Sequence, residues 1–180
     1  IEVDDCPENP RDWDNLSVFY CFHEKYSLGD NHSIDRNRYE SWNELAMNAF
    51  DSDDVVVPLY LLDHSGLTLS TTPFSCPWDS GAVGYAVVSK ERIISVYGVY
   101  NDDSKSKALH CIDSEVEAYN QYLAGDVYVI FIEEQCPGCD SWSIVDSCGG
   151  CYGYERAESE AKDLLASYNR LEWLKRLTTD

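Results

Sequence analysis

Apolar residues recur along this chain in two rhythms. Residues 55–62 (VVVPLYLL) and 67–71 flank the turn Asp63-His64-Ser65-Gly66, a pattern that reads as a β-hairpin. Apolar runs of strand length also occur at 16–22, 82–88, 127–132 and 142–145. Elsewhere the spacing changes to three and four. Residues 39–50 set Trp42, Leu45, Met47, Ala49 and Phe50 around one broad face, and residues 105–124 carry Leu109, Ile112, Val116, Tyr119 and Leu123. Residues 156–177 repeat the pattern through Ala157, Ala161, Leu164, Tyr168 and Leu171, with acids first and Lys175 and Arg176 last, as the helix dipole favours. Ser89 reads as the N-cap of a short helix ending near Gly98, and Gly125 as the stop of the long one. Residues 1–15 read as an irregular lead-in, and 23–38 as a loop.

Hairpins in sequence, with helices between groups of strands, predict an α+β fold. The expected architecture is one central, largely antiparallel sheet holding 55–62, 67–71, 82–88 and 127–132, flanked by helices at 107–124 and 156–176. A length of 180 residues fits a single domain, 1–180.

Charge changes the picture most. There are 33 acidic and 13 basic residues, a formal net of −20. Residues 1–54 carry 14 acids and 4 bases, 55–100 carry 3 and 2, and 101–180 carry 16 and 7, so the two flanks hold the field. Such a surface repels nucleic acid and anionic lipid, and its natural partner is a basic protein. Twenty charges match about 34 Å of B-DNA, one helical turn, which allows mimicry of a polyanion. The densest groups are Asp51, Asp53 and Asp54, then Asp102 and Asp103, then Glu115 and Glu117 on the long helix. No run reaches the roughly 18 apolar residues of a membrane span. The start, Ile1-Glu2-Val3-Asp4-Asp5, lacks the basic and apolar regions of a signal peptide, so the cytoplasm is the expected compartment.

Two loops concentrate chemistry. Asp63-His64-Ser65-Gly66 and Ser75-Cys76-Pro77-Trp78-Asp79-Ser80-Gly81 bring Asp63, His64, Cys76, Trp78 and Asp79 into candidate proximity. A Cys76 nucleophile, a His64 base and an Asp79 orienter would make a hydrolase. No nucleophile motif surrounds Cys76, and the plainer reading is turn residues plus a Pro77-Trp78 plug, with recognition as the second use. His23 and His32 lack the i, i+4 partner of a metal site, and there is no phosphate loop or dinucleotide fingerprint.

Cys136-Pro137-Gly138-Cys139 and Cys148-Gly149-Gly150-Cys151 have the spacing of a four-sulfur zinc site. One extended strand between them would hold Cys139 and Cys148 about 30 Å apart. The expectation is therefore free thiols or a local redox pair and no cofactor, with zinc as the alternative. Cys6, Cys21, Cys76 and Cys111 are expected to be reduced.

The blocks CPENP (6–10), CFHEKYSLGD (21–30), PLYLLDHSGLTLSTTPFSCPWDSG (58–81) and VDSCGGCYG (145–153) resemble, in collinear order, a family of phage and mobile-element proteins of no assigned activity. The family usually has an aromatic where Cys151 stands and lacks the CPGC insert. The resemblance implies an accessory protein in a host cell. Acidic proteins of that class often inhibit CRISPR or restriction nucleases by occupying their DNA-binding clefts. An anti-defence DNA mimic is therefore the expected function, with a non-mimic interaction module using residues 63–81 as the alternative.

Overall fold

The computed structural model describes residues 1–136 and 138–177, with side chains through residue 170. In chain order the elements are β1 (Glu2–Val3), a 3-10 turn (Pro10–Asp12), β2 (Val18–Cys21), a second 3-10 turn (Arg36–Arg38), α1 (Trp42–Ala49), β3 (Val55–Asp63), β4 (Leu67–Ser70), β5 (Ser80–Val88), α2 (Lys90–Tyr97), α3 (Asp102–Ala124), β6 (Val127–Gln135), β7 (Trp142–Tyr152) and α4 (Tyr154–Leu177). The fold is α+β and every strand pairing is antiparallel. Two compact units divide it: residues 9–124, and residues 1–8 together with 125 onward.

The first unit is built on a four-stranded sheet of order β2-β5-β3-β4. Its central strands are covered on both faces, which explains the unbroken apolar run of β5. Leu59, Leu61, Leu69, Ala86 and Val88 pack toward Ile93 of α2 and Ala108, Ile112, Val116 and Tyr119 of α3. On the other face Tyr85 and Val87 meet Leu45 of α1, with Tyr20, Trp42 and Phe50 around them. Pro58 is tolerated inside β3 because β4 reaches only as far as Tyr60, leaving that side of Pro58 without a ladder partner. Gly84 is required by a close approach: a Cβ there would lie 1.8 Å from the Tyr20 carbonyl oxygen across the β2–β5 ladder.

The second unit holds a three-stranded sheet of order β1-β6-β7 with α4 against it. Residues 127–132 do not join the central sheet as the patterning suggested; they lie between β1 and β7. Periodicity identifies a strand but not its partner, and the supposedly irregular lead-in supplies one, β1. Gly150, with φ of +68°, sits in a β-bulge between the ladder pairs Tyr128–Cys151 and Ile130–Cys148. The extra residue puts Cys148 and Cys151, which plain alternation would send to opposite faces, both in the cluster with Ile130, Ala157, Ala161 and Leu164.

The helices start and stop where their caps dictate. Ser41 accepts from Glu44 N at 3.1 Å, so α1 begins at Trp42, three residues later than expected. Ser89 caps α2 at Arg92 N, and Gly98 ends it in the left-handed region. Met47 is 75 % exposed, and Leu109 is also exposed, against expectation. The buried stripe of α3 runs through Ser104, Ala108, Ile112, Val116 and Tyr119 instead. The backbone of α4 extends to Leu177, while the side chains of Leu171, Lys175 and Arg176 lie outside the described residues.

Candidate functional site

β3 is nine residues long, about 30 Å at strand rise, and the candidate residues of the first unit gather at its two ends. At its start the turn 51–54 meets the beginning of α2 and α3. Lys90 Nζ lies 2.7 Å from Asp53 Oδ2, and Lys90 N donates to Asp54 Oδ1 at 3.2 Å. The Tyr100 hydroxyl donates to the Asp53 carbonyl, and Lys105 lies 4.5 Å over the Tyr100 ring. Asp103 pairs with Lys107 at 2.7 Å. The structure thus brings Asp51, Asp53, Asp54, Asp102 and Asp103 to one end, together with three lysines that offset part of their charge.

Glu117 is exposed on α3, but Glu115 is not a surface acid; its side chain is 10 % exposed. It accepts from Leu16 N at 2.7 Å and from the Ser17 hydroxyl, and pairs with Arg11 at 3.2 Å. Arg11, 3 % exposed, also forks onto Asp30 at 2.7 Å, donates to Ser17 O and stacks on Phe19. A helical wheel carried the signal, since Glu115 falls beside Ile112, Val116 and Tyr119 on the buried stripe. Sequence reasoning missed Asp113, which is exposed and lies on the same face as Asp102 and Glu117. At 100° per residue, Asp102, Asp103, Asp113 and Glu117 fall within about 100° of arc and span about 22 Å of axis.

At the far end of β3 the two expected loops do meet. Asp63 N donates to Asp79 O at 2.8 Å, and Asp79 Oδ2 bonds His64 Nδ1 at 3.1 Å and Cys76 Sγ at 3.6 Å. The Ser80 hydroxyl ties back to Cys76 O. Asp63 Oδ2 accepts from the Tyr26 hydroxyl at 3.0 Å, with Lys25 at 3.9 Å. Beside this knot lies a pocket of about 410 Å³ lined by His23, Asp63, Trp78, Asp79 and Gly81. Trp78 stands 91 % exposed at its rim. All five loop residues therefore share one region, but in the wrong order for a nucleophile. The carboxylate stands between thiol and imidazole, whereas a catalytic chain needs the imidazole next to the thiol. The knot pins two loops and displays a tryptophan.

The paired cysteines separate. β6 and β7 form a hairpin in which Gln135 faces Trp142, so Cys136 and Cys139 sit at its turn. Cys136 N donates to Ser141 O at 2.8 Å, and Asp140, with φ of +54°, folds the chain back. Cys139 Sγ and Ser141 Oγ lie 3.0 Å apart. Hydrogen bonds from the Ser141 hydroxyl and amide, and then from Cys136, hold the Cys139 thiol below the usual thiol range. Cys148 and Cys151 lie under α4 at the other end of β7, where burial foremost, and then Cys148, push Cys151 up. A four-sulfur site would require β7 to unpair. Among the described residues no three His, Cys, Asp or Glu side chains cluster as metal ligands. Cys6, Cys21, Cys76 and Cys111 are free thiols. His23 accepts from Lys25 N and Tyr26 N, while His32 packs between Tyr20 and Phe22 with Nε2 on Cys21 O.

Among the described residues no helix is long and apolar enough to cross a membrane. Comparison with family models, with curated proteins and with solved structures finds no match to this chain.

Proposed function

We propose that this protein acts by protein–protein binding, presenting the outward face of α3 to a basic, nucleic-acid-binding surface of a partner. The observation that carries this reading is the line formed by Asp102, Asp103, Asp113 and Glu117, all exposed, on a single 23-residue helix. A helix fixes the spacing of its carboxylates, as a duplex fixes its phosphates, so a cleft that reads phosphates with Lys and Arg accepts them at little ordering cost. The pairing of bases supports it as well. Arg11, Lys25, Arg38, Lys90, Arg92 and Lys107 of the same unit are each bonded to one of its own acids; Lys107 offsets Asp103, and the surplus charge on the line is that of Asp102, Asp113 and Glu117. The resemblance of four sequence blocks to a phage and mobile-element family supplies the setting, an inhibitor of a host defence nuclease of the CRISPR or restriction type acting in the host cytoplasm.

Capture of partners from host lysate at about 0.05 M and about 0.5 M salt tests the reading, with excess duplex DNA as competitor. Each exposed carboxylate contributes about 0–1 kcal/mol, so single substitutions are mild. Reversal of all four to lysine abolishes capture. A complex indifferent to both salt and DNA means that the acidity serves solubility only. The exposure of Trp78 favours a second reading, in which the loop end of the first unit is the anchor. Trp78→Ala then removes binding at every salt concentration, while the four-site reversal leaves it intact.

A further inference from the structure

The turn of the β6–β7 hairpin is built to hold a reactive thiol beside a second one. Here the left-handed Asp140 returns the chain so that Ser141 directs both its amide and its hydroxyl at Cys139, the two side-chain atoms lying 3.0 Å apart. Cys136 closes the turn through its own amide, 2.8 Å from Ser141 O, and its side chain adds to the lowering of the Cys139 thiol. Both thiols are exposed. The second pair in the same hairpin shows the opposite environment. Cys148 and Cys151 are drawn by the bulge into the apolar cluster under α4, with Cys151 buried.

We propose that Cys136 and Cys139 form a redox-active dithiol that reduces low-molecular-weight disulfides such as glutathione disulfide and is itself converted to an intramolecular disulfide. Cys139 is the attacking group. Its thiolate bonds to one sulfur of the incoming disulfide, whose S–S bond breaks and releases the first thiolate, protonated from water. The Cys136 thiol gives its proton to solvent and attacks the Cys139 sulfur, breaking the mixed disulfide and releasing the second thiol. Two protein thiols are oxidised to one disulfide and one disulfide is reduced to two thiols, so electrons and protons balance. Donors on the Cys139 sulfur favour the thiolate, and exposure admits the reactant. Cys148 and Cys151 have neither advantage and stay reduced. Trp142 and Ile144, exposed on β7 just beyond the turn, flank the dithiol with apolar surface.

The test equilibrates the full chain in glutathione buffers of graded poise, then maps disulfides by mass spectrometry after alkylation. The expected result is a Cys136–Cys139 disulfide that forms and reverses with the poise while Cys148 and Cys151 remain alkylatable. Cys136→Ser should stop at a glutathione adduct on Cys139, and Cys139→Ser should form no adduct at the turn on the same timescale. In the reduced protein at pH 7, Cys139 should be alkylated several-fold faster than the exposed Cys6. The turn lies at the surface, so circular dichroism should be unchanged in both variants. Failure to form the Cys136–Cys139 disulfide under fully oxidising buffer overturns the proposal, as does a Cys139 alkylation rate equal to that of Cys6. An adduct forming first on Cys136 overturns the order of attack.

Discussion

Arg11 is the residue on which the first unit closes. It is almost fully buried, and its guanidinium holds Asp30, Glu115 and the Ser17 carbonyl while stacking on Phe19. The Asp30 carboxylate in turn accepts from Phe19 N at 2.6 Å. One side chain thus joins the first 3-10 turn, β2, the loop after it and α3. Removing one member of a buried charged network leaves the others unpaired, so Arg11→Met should cost about 3–5 kcal/mol in denaturant unfolding. The same region sets an alkaline limit. Burial pushes the Cys21 thiol up to about 12, and burial with the nearby Glu115 carboxylate pushes Cys111 up to about 11. Both thiols are held neutral in the folded chain. Their stabilising contribution is therefore complete below the ordinary thiol value of about 9 and is lost as pH rises toward 11–12. Unfolding free energy should fall across that window, and Cys21→Ala, although less stable at neutral pH, should show a shallower fall.

At the scale of elements, the first sheet depends on how its edge and its centre are treated. β4 is an edge strand, and such edges invite pairing with other chains. Here Asn120 of α3 blocks it, accepting from Leu69 N at 2.7 Å and donating to Leu69 O at 2.8 Å. Asn120→Ala leaves both backbone groups without that partner. We expect a loss of about 1–3 kcal/mol and concentration-dependent self-association, read by denaturant midpoint and light scattering. Gly84→Ala acts at the centre, because its methyl group would meet the Tyr20 carbonyl and part β2 from β5. Its expected phenotype is failure to accumulate as folded protein.

For the whole molecule the governing quantity is the net charge of −20. The unit of residues 9–124 has 18 acids and 8 bases, and the remainder has 15 and 5, so each carries a net −10. Self-repulsion of this size opposes compactness and is screened by salt over about 10 Å at 0.1 M. The melting temperature should therefore rise between about 0.02 M and about 0.3 M sodium chloride. The exposed ion pairs are too weak to reverse that trend. A fall in melting temperature over this range would mean that internal ion pairs outweigh the surplus charge.

Much of this protein was legible in its residues. Period-two and period-3.6 spacing, with Ser89, Gly98 and Gly125 at the boundaries, marked the strands of the first sheet and the longer helices, because those signals depend on neighbours in sequence. The hairpin turn 63–66 and the loop 73–81 could be expected to meet for the same reason, since one joins β3 to β4 and the other carries the chain from β4 to β5 on the opposite side of β3. Which strand pairs with which was decided by tertiary structure, and it moved residues 127–132 into a second sheet with Glu2 and Val3. Burial of Glu115 also depended on a partner 104 residues away, Arg11, whose charge makes an acid stable on an apolar stripe. Sequence spacing brought Cys136, Cys139, Cys148 and Cys151 together as a pattern. The hairpin set them at opposite ends of one strand, because an extended, laddered backbone cannot fold back on itself.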